Sequence, residues 1–229
     1  MYLTDYLKIS NKRFDNQRKE YIMSESVQVF IKDKLTNGVN IKKVLDIINS
    51  HLPSHLLREV ESIYIGLFDD FEKKETTAAF KDGAIYVSSE QENEEDLVDD
   101  LVHEIAHSLE SPYGYLIYAD NKLKDEFLLK RERLYNILQA DGFNPPATLM
   151  TQTEYSLEID NYLYKEVGYD KLNFLAASYG LFTSAYSATS LREYFANGFE
   201  YYFLESPQEL SEISPILYKK IEELHYYED

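Results

Sequence analysis

The run His103-Glu104-Ile105-Ala106-His107 constrains this chain more than any other stretch. Two histidines four residues apart point the same way from a helix, so both imidazoles can reach one Zn2+. Glu104 between them sits beside the metal's open position, where it can take a proton from bound water. The run therefore requires a helix, and the flanking sequence supplies one. From about residue 94 to residue 110, Leu97, Val98, Leu101, Val102, Ile105 and Leu109 form an apolar stripe. The acidic stretch 90–100 opens that helix, where negative side chains suit the positive end of the dipole. An ordinary amphipathic helix with two solvated histidines is the alternative reading.

The rest of the chain is organised around this helix. At 229 residues, with 44% hydrophobic and 28% charged side chains, it has the makings of one substantial globular domain. Residues 1–60 read as a mostly helical segment packed on that domain. Within it, residues 41–52 place Ile41, Val44, Leu45, Ile48 and Leu52 on one helical face, and Pro53 ends the helix. Residues 62–70 are rich in β-branched and aromatic side chains and read as strand. Residues 78–80 and 84–88, joined through Lys81-Asp82-Gly83, read as a hairpin. Helices are expected at 121–140, 155–167, 170–179 and 191–204, with a terminal helix ending near 224. The predicted fold class is α+β and mostly helical, with a small sheet before the HExxH helix and a helical C-terminal half. The main domain spans 61–229, with a helical insert at about 111–185.

Charge narrows the partners. Against 23 Lys and Arg stand 41 Asp and Glu, a formal net charge of −18. Such a body repels phosphate backbones, so general nucleic-acid binding is not expected, whereas basic peptides and metal ions are favoured. Acidity that serves only solubility is the plain alternative. The absence of cysteine excludes disulfides, thiol nucleophiles and thiolate metal sites. No basic region followed by an apolar run opens the sequence, and no stretch approaches the roughly 18 apolar residues of a membrane span. The expectation is a cytoplasmic protein without a membrane span, with export by a signal-independent route or a removed leader as the alternatives; nothing specifies its oligomeric state. The chain has 21 Tyr and 12 Phe beside no Trp, rings expected in the core, on helix faces and along a groove.

A catalytic zinc site needs a third protein ligand. No histidine follows at the spacing His107-x-x-Gly-x-x-His, so a carboxylate from another helix is expected. Glu154, Glu158, Asp160 and Glu166 are candidates in polar surroundings. Glu193 stands apart because it opens a nearly all-apolar helix, 193–203, in which Glu193, Asn197 and Glu200 form a polar stripe at i, i+4 and i+7. A carboxylate on a buried helix is costly unless it is paired or bound to metal. A pair with Arg192 or a surface lysine is the competing account. Asp100 or Asp99 could orient His103, although acids at a helix start are commonly just solvated. His51 and His55 repeat the four-residue spacing, but Pro53 interrupts them. His225 near the chain end reads as inert.

HExxH followed by Glu193-x-Phe195-Ala196-x-x-Phe199-x-Tyr201-Tyr202 resembles the catalytic domain of anthrax lethal factor and its relatives, the clostridial Pro-Pro endopeptidases. Cytosolic regulatory peptidases of the Mlc-titration-factor type are similar in this motif too. The likeness covers residues 84–109 and 186–224. It implies a zincin-like fold of the gluzincin kind and a zinc endopeptidase with one Zn2+ acting on peptides or proteins. It also implies that His103, His107 and Glu193 are the ligands, Glu104 the general base and Tyr186, seven positions before Glu193, the oxyanion donor. Where the family carries a second glutamate that orients a ligand histidine, this chain has Asn197. The spacing of 86 positions from His107 to Glu193 also exceeds the expected one, and the added helices are read as a lid, a substrate-selecting insert or packing. A strand near 84–88 is expected to run beside the cleft and accept an extended peptide. A catalytically inactive zincin-fold binding or adaptor protein is the alternative that Asn197 supports.

Overall fold

A computed structural model describes residues 19–24, 27–36, 38–68 and 76–227. The fold is α+β and mostly helical, with a small mixed sheet of five strands. Cα packing groups the chain into two units, Met1–Ser108 and Leu109–Asp229.

In the first unit the sheet order is β1-β2-β3-β5-β4. Its strands are β1 (Lys19–Ile22), β2 (Gln28–Ile31), β3 (Ser62–Gly66), β4 (Ala78–Lys81) and β5 (Ala84–Ser88). β2, β3 and β5 run parallel, while β1 and β4 are antiparallel to their neighbours. Register explains the two faces. Val29, Ile63 and Ile85 stand side by side, as do Ile31, Ile65 and Val87, and all six are buried. On the opposite face Phe30 stacks on Tyr64 at 5.2 Å and Tyr64 on Tyr86 at 5.4 Å, which employs part of the tyrosine excess. Helix α1 (Ile41–His51) buries Ile41, Val44, Leu45 and Ile48, as its spacing predicts. The hairpin is also as expected. Asp82 and Gly83 both have positive φ (50° and 78°), the two-residue type I′ geometry that Asp-Gly favours.

The expectation that residues 1–60 are mostly helical is corrected here, because β1 and β2 lie within it. The stretch 28–31 alternates in exposure with the period of a strand, but four residues are too few to show that period in sequence. Residues 1–18, and the end of the predicted strand at 69–70, lie outside the described residues.

Helix α2 (Glu94–Ile117) opens under Asn93, whose Oδ1 accepts from Asp96 N at 2.9 Å, and runs on through Pro112. In the second unit follow α3 (Lys122–Ala140), α4 (Leu157–Asn161) continued by a π-helical stretch Tyr162–Val167, and α5 (Tyr169–Tyr179). Next come α6 (Leu191–Glu200), a second π stretch Tyr201–Glu205, α7 (Pro207–Ile213) and α8 (Pro215–His225). The single terminal helix expected from sequence is thus two, parted at Ser214 because Pro215 cannot continue the preceding hydrogen-bond ladder. Among the described residues, no helix is long and apolar enough to cross a membrane.

Candidate metal centre

Helix α2 buries Leu97, Val98, Leu101, Val102, Ile105 and Leu109, and this stripe fixes which way its polar residues turn. His103 and His107 lie one turn apart on one side, their ring centroids 4.9 Å apart. Glu104 is only 7% exposed. Its Oε2 accepts the backbone N–H of Phe80 at 2.6 Å, a charge-assisted bond to strand β4. Asp100, one turn earlier, accepts from Thr77 Oγ1 at 3.1 Å and from Gln91 Nε2 at 2.9 Å, so its carboxylate ties α2 to the approach of β4 and the end of β5.

Glu193 is presented by the first turn of α6. Ser190 caps that helix, its Oγ accepting from Glu193 N at 3.2 Å. The neighbouring Arg192 directs Nε to Glu110 Oε2 at 2.6 Å, so the cation expected to compete for Glu193 has a carboxylate of its own. One ligand atom from each of His103, His107 and Glu193 lies within 4.8 Å of the others, all three side chains being half-buried. Among the described residues these three are the candidate group for a metal ion, and two imidazoles with one carboxylate form a donor set that suits Zn2+.

The remaining candidates have other employment. Asp160 accepts from Tyr155 OH at 2.6 Å and from Tyr169 OH at 3.1 Å, which makes it the anchor of a tyrosine cluster. Glu154, Glu158 and Glu166 stand outside the group. His51 packs Nδ1 against Ile47 O at 2.9 Å on the exposed end of α1. His225 is not a bare chain-end residue: it stacks on Tyr226 at 4.4 Å and reaches Tyr202 OH at 3.1 Å.

The resemblance also singles out Asn197 and Tyr186. Asn197 is expected to accept from a ligand imidazole; instead its Oδ1 accepts from Ser184 Oγ at 2.6 Å and its Nδ2 donates to Glu193 O at 2.9 Å. An amide both donates and accepts, so at this position it closes a turn of α6, which a carboxylate could not do. Tyr186 lies in the 3-10 turn Tyr186–Ala188 and is 37% exposed. Burial, then the Glu193 carboxylate, then Asp160 push its phenol well above the usual tyrosine range, so it stays a hydrogen-bond donor.

Sequence reasoning misses Arg131 and Lys130. Arg131 is fully buried and donates to the carbonyls of Ala188 (2.9 Å), Thr189 (2.9 Å) and Gln152, while its guanidinium lies 4.7 Å from the Phe127 ring. It thus fastens the turn that carries Tyr186 and leads to the Ser190 cap. Its signal was present: Leu123, Phe127, Leu134 and Leu138 set an apolar stripe, and position 131 lies on it.

No protein-family model, curated protein or solved structure matches the chain.

Proposed function

We propose that the protein is a zinc-dependent metalloendopeptidase with a zincin-like gluzincin site. The observation that carries the reading is the convergence of His103, His107 and Glu193 ligand atoms within 4.8 Å, with Glu104 on the same helix as the two histidines. Those three residues would hold one Zn2+, which supplies Lewis acidity toward a peptide carbonyl and toward water. Glu104 takes the proton of the attacking water and returns it to the leaving amine. Tyr186, kept protonated, donates to the oxyanion as it develops. Substrates are peptides or proteins, and the net charge of −18 favours basic ones.

Asn197 gives a second reading some support. With its amide spent on Ser184 and the Glu193 backbone, it supplies no charge to strengthen a ligand, which suits a zincin-fold protein that binds partners without cleaving them. Profiling cleavage of an unbiased peptide library, with and without chelator, separates the two. The peptidase reading expects chelator-sensitive cleavage that Glu104→Gln abolishes. A folded native protein with no zinc, or cleavage that persists in Glu104→Gln, sinks it.

A further inference from the structure

Strand β4 is one of the two outer strands of the sheet, and its hydrogen-bond phase decides which of its groups face outward. Thr77 O accepts from Ser88 N at 2.7 Å, and the register sets Thr77 opposite Ser88, Ala79 opposite Tyr86 and Lys81 opposite Ala84. In an antiparallel ladder, hydrogen-bonded pairs alternate with non-bonded ones. Ala78 and Phe80 are therefore the residues whose N–H and C=O groups turn away from β5. This also corrects the placement of a docking strand at 84–88. β5 is paired on both sides, with β3 and with β4, so no peptide can add to it.

At the outer edge, the molecule already uses two of these groups. Thr76 Oγ1 donates to Ala78 O at 3.0 Å, and Phe80 N–H donates to Glu104 Oε2 at 2.6 Å. An N–H that an incoming strand could have used is thus given to the carboxylate on which the chemistry depends. Glu104 is buried, and a carboxylate in such a place requires a donor; a backbone N–H in a sheet is a donor that cannot rotate away.

We propose that the Phe80 N–H is a positioning group for the reaction: it anchors one oxygen of the Glu104 carboxylate and so sets where the proton-accepting oxygen stands. The same contact leaves the outer edge of β4 with one N–H fewer to offer an added strand. This inference rests on the peptidase reading for its catalytic consequence, but not for the contact itself.

Two measurements test it. Amide hydrogen exchange on the metal-free full chain reads the contact directly. The Phe80 amide should be protected in the wild type and in Glu104→Gln, whose amide oxygen still accepts. It should exchange at least about tenfold faster in Glu104→Ala, while Ala79 and Lys81, bonded to β5, are unmoved. Kinetics on the zinc-loaded chain read the consequence. Phe80→Pro and Phe80→Ala both lack the ring, but only the first lacks the N–H, and at an outward position proline removes no ladder bond. We expect kcat of Phe80→Pro to fall about 10–100-fold below that of Phe80→Ala, with KM and zinc affinity within about threefold. If Phe80→Pro does not fold, an amide-to-ester replacement at residue 80 removes the same hydrogen. Exchange at Phe80 that ignores Glu104→Ala, or equal kcat with and without the N–H, overturns the proposal. A wild type that neither binds zinc nor cleaves peptides overturns the peptidase reading instead, and the exchange result still stands.

Discussion

Gly198 offers a test in which two effects of opposite sign compete. It lies inside α6, five residues after Glu193, where exchanging glycine for alanine in a free helix gains about 1 kcal/mol. Here a Cβ would stand 2.8 Å from Leu217 Cγ, 3.1 Å from Cδ1 and closer still to Cδ2, well inside the roughly 3.5–4.0 Å of a normal carbon contact. Leu217 cannot easily retreat. It is fully buried, and the start of α8 is pinned by Glu126, which accepts from Ile216 N at 2.9 Å and Leu217 N at 3.0 Å. Overpacking of this kind costs about 1–3 kcal/mol, and a tethered neighbour places it near the top of that range. The net expectation for Gly198→Ala is a loss of about 2 kcal/mol in urea unfolding, read as a lower midpoint at unchanged slope.

The double mutant makes the argument strict. In a Leu217→Ala background the clash is gone and propensity alone remains, so adding Gly198→Ala should stabilise by about 1 kcal/mol. The coupling between the sites is then about 3 kcal/mol, larger than independent sites show. A stabilising Gly198→Ala in the parent protein, or a coupling near zero, would refute the close approach of Gly198 to Leu217.

Three further outcomes are expected. Zinc at 100 times its dissociation constant should stabilise the protein by about 2.7 kcal/mol; His103→Ala should abolish that thermal shift, and Glu193→Gln should shrink it. Arg131→Met leaves the carbonyls of Gln152, Ala188 and Thr189 without their donor and, at roughly 1–3 kcal/mol for each orphaned acceptor, should cost at least about 3 kcal/mol by urea titration, whereas a surface arginine would cost almost nothing. Lys130, buried against the carbonyls of Leu181 and Ile213, is pushed down to about 8 by burial, against Glu126 acting in the opposite sense. Between that value and the ordinary lysine range the unfolded chain binds more protons. The stability of the wild type should therefore rise relative to Lys130→Met from pH 8 to pH 10, and a flat or falling difference refutes the assignment.

What sequence could reveal follows from how far each signal reaches. The HExxH helix was legible because its ligand spacing and its apolar stripe share one period over several turns. The hairpin was legible because Asp82-Gly83 specifies a turn by itself. Strands β1 and β2 were not, since four-residue runs give neither period room to repeat. Strand order was also hidden: nothing local tells that β5 lies inside the sheet and β4 at its edge, and the docking strand was misplaced for that reason. Glu193 could be singled out because a carboxylate among aromatic residues demands a reason. The donor to Glu104 could not, because it is a backbone N–H, which every residue but proline carries. The partners of Asn197 were not legible, because an amide's second capability, donation to Glu193 O, matters as much as its acceptor.

The stretch between His107 and Glu193 gains a physical role from the bases of α3. Lys130 donates to Leu181 O, Arg131 to Ala188 O and Thr189 O, and Arg133 to Tyr179 O, so three side chains of one helix take carbonyls from both ends of residues 179–189. Tyr179 and Leu181 lie at the C-terminal end of α5, where carbonyls lack helical partners and cations are favoured. Arg131 and Lys130 thus satisfy carbonyls rather than neutralise acids. This fits segments whose backbone has left regular structure and must still be satisfied inside the protein. Among the readings open for the insert, packing accounts for α3. It is the platform on which the Tyr186 turn and the Ser190 cap are built, and through them the first turn of α6 that presents Glu193. A lid would need this helix to move, and moving it would strip partners from six carbonyls at once, those of Gln152, Tyr179, Leu181, Ala188, Thr189 and Ile213.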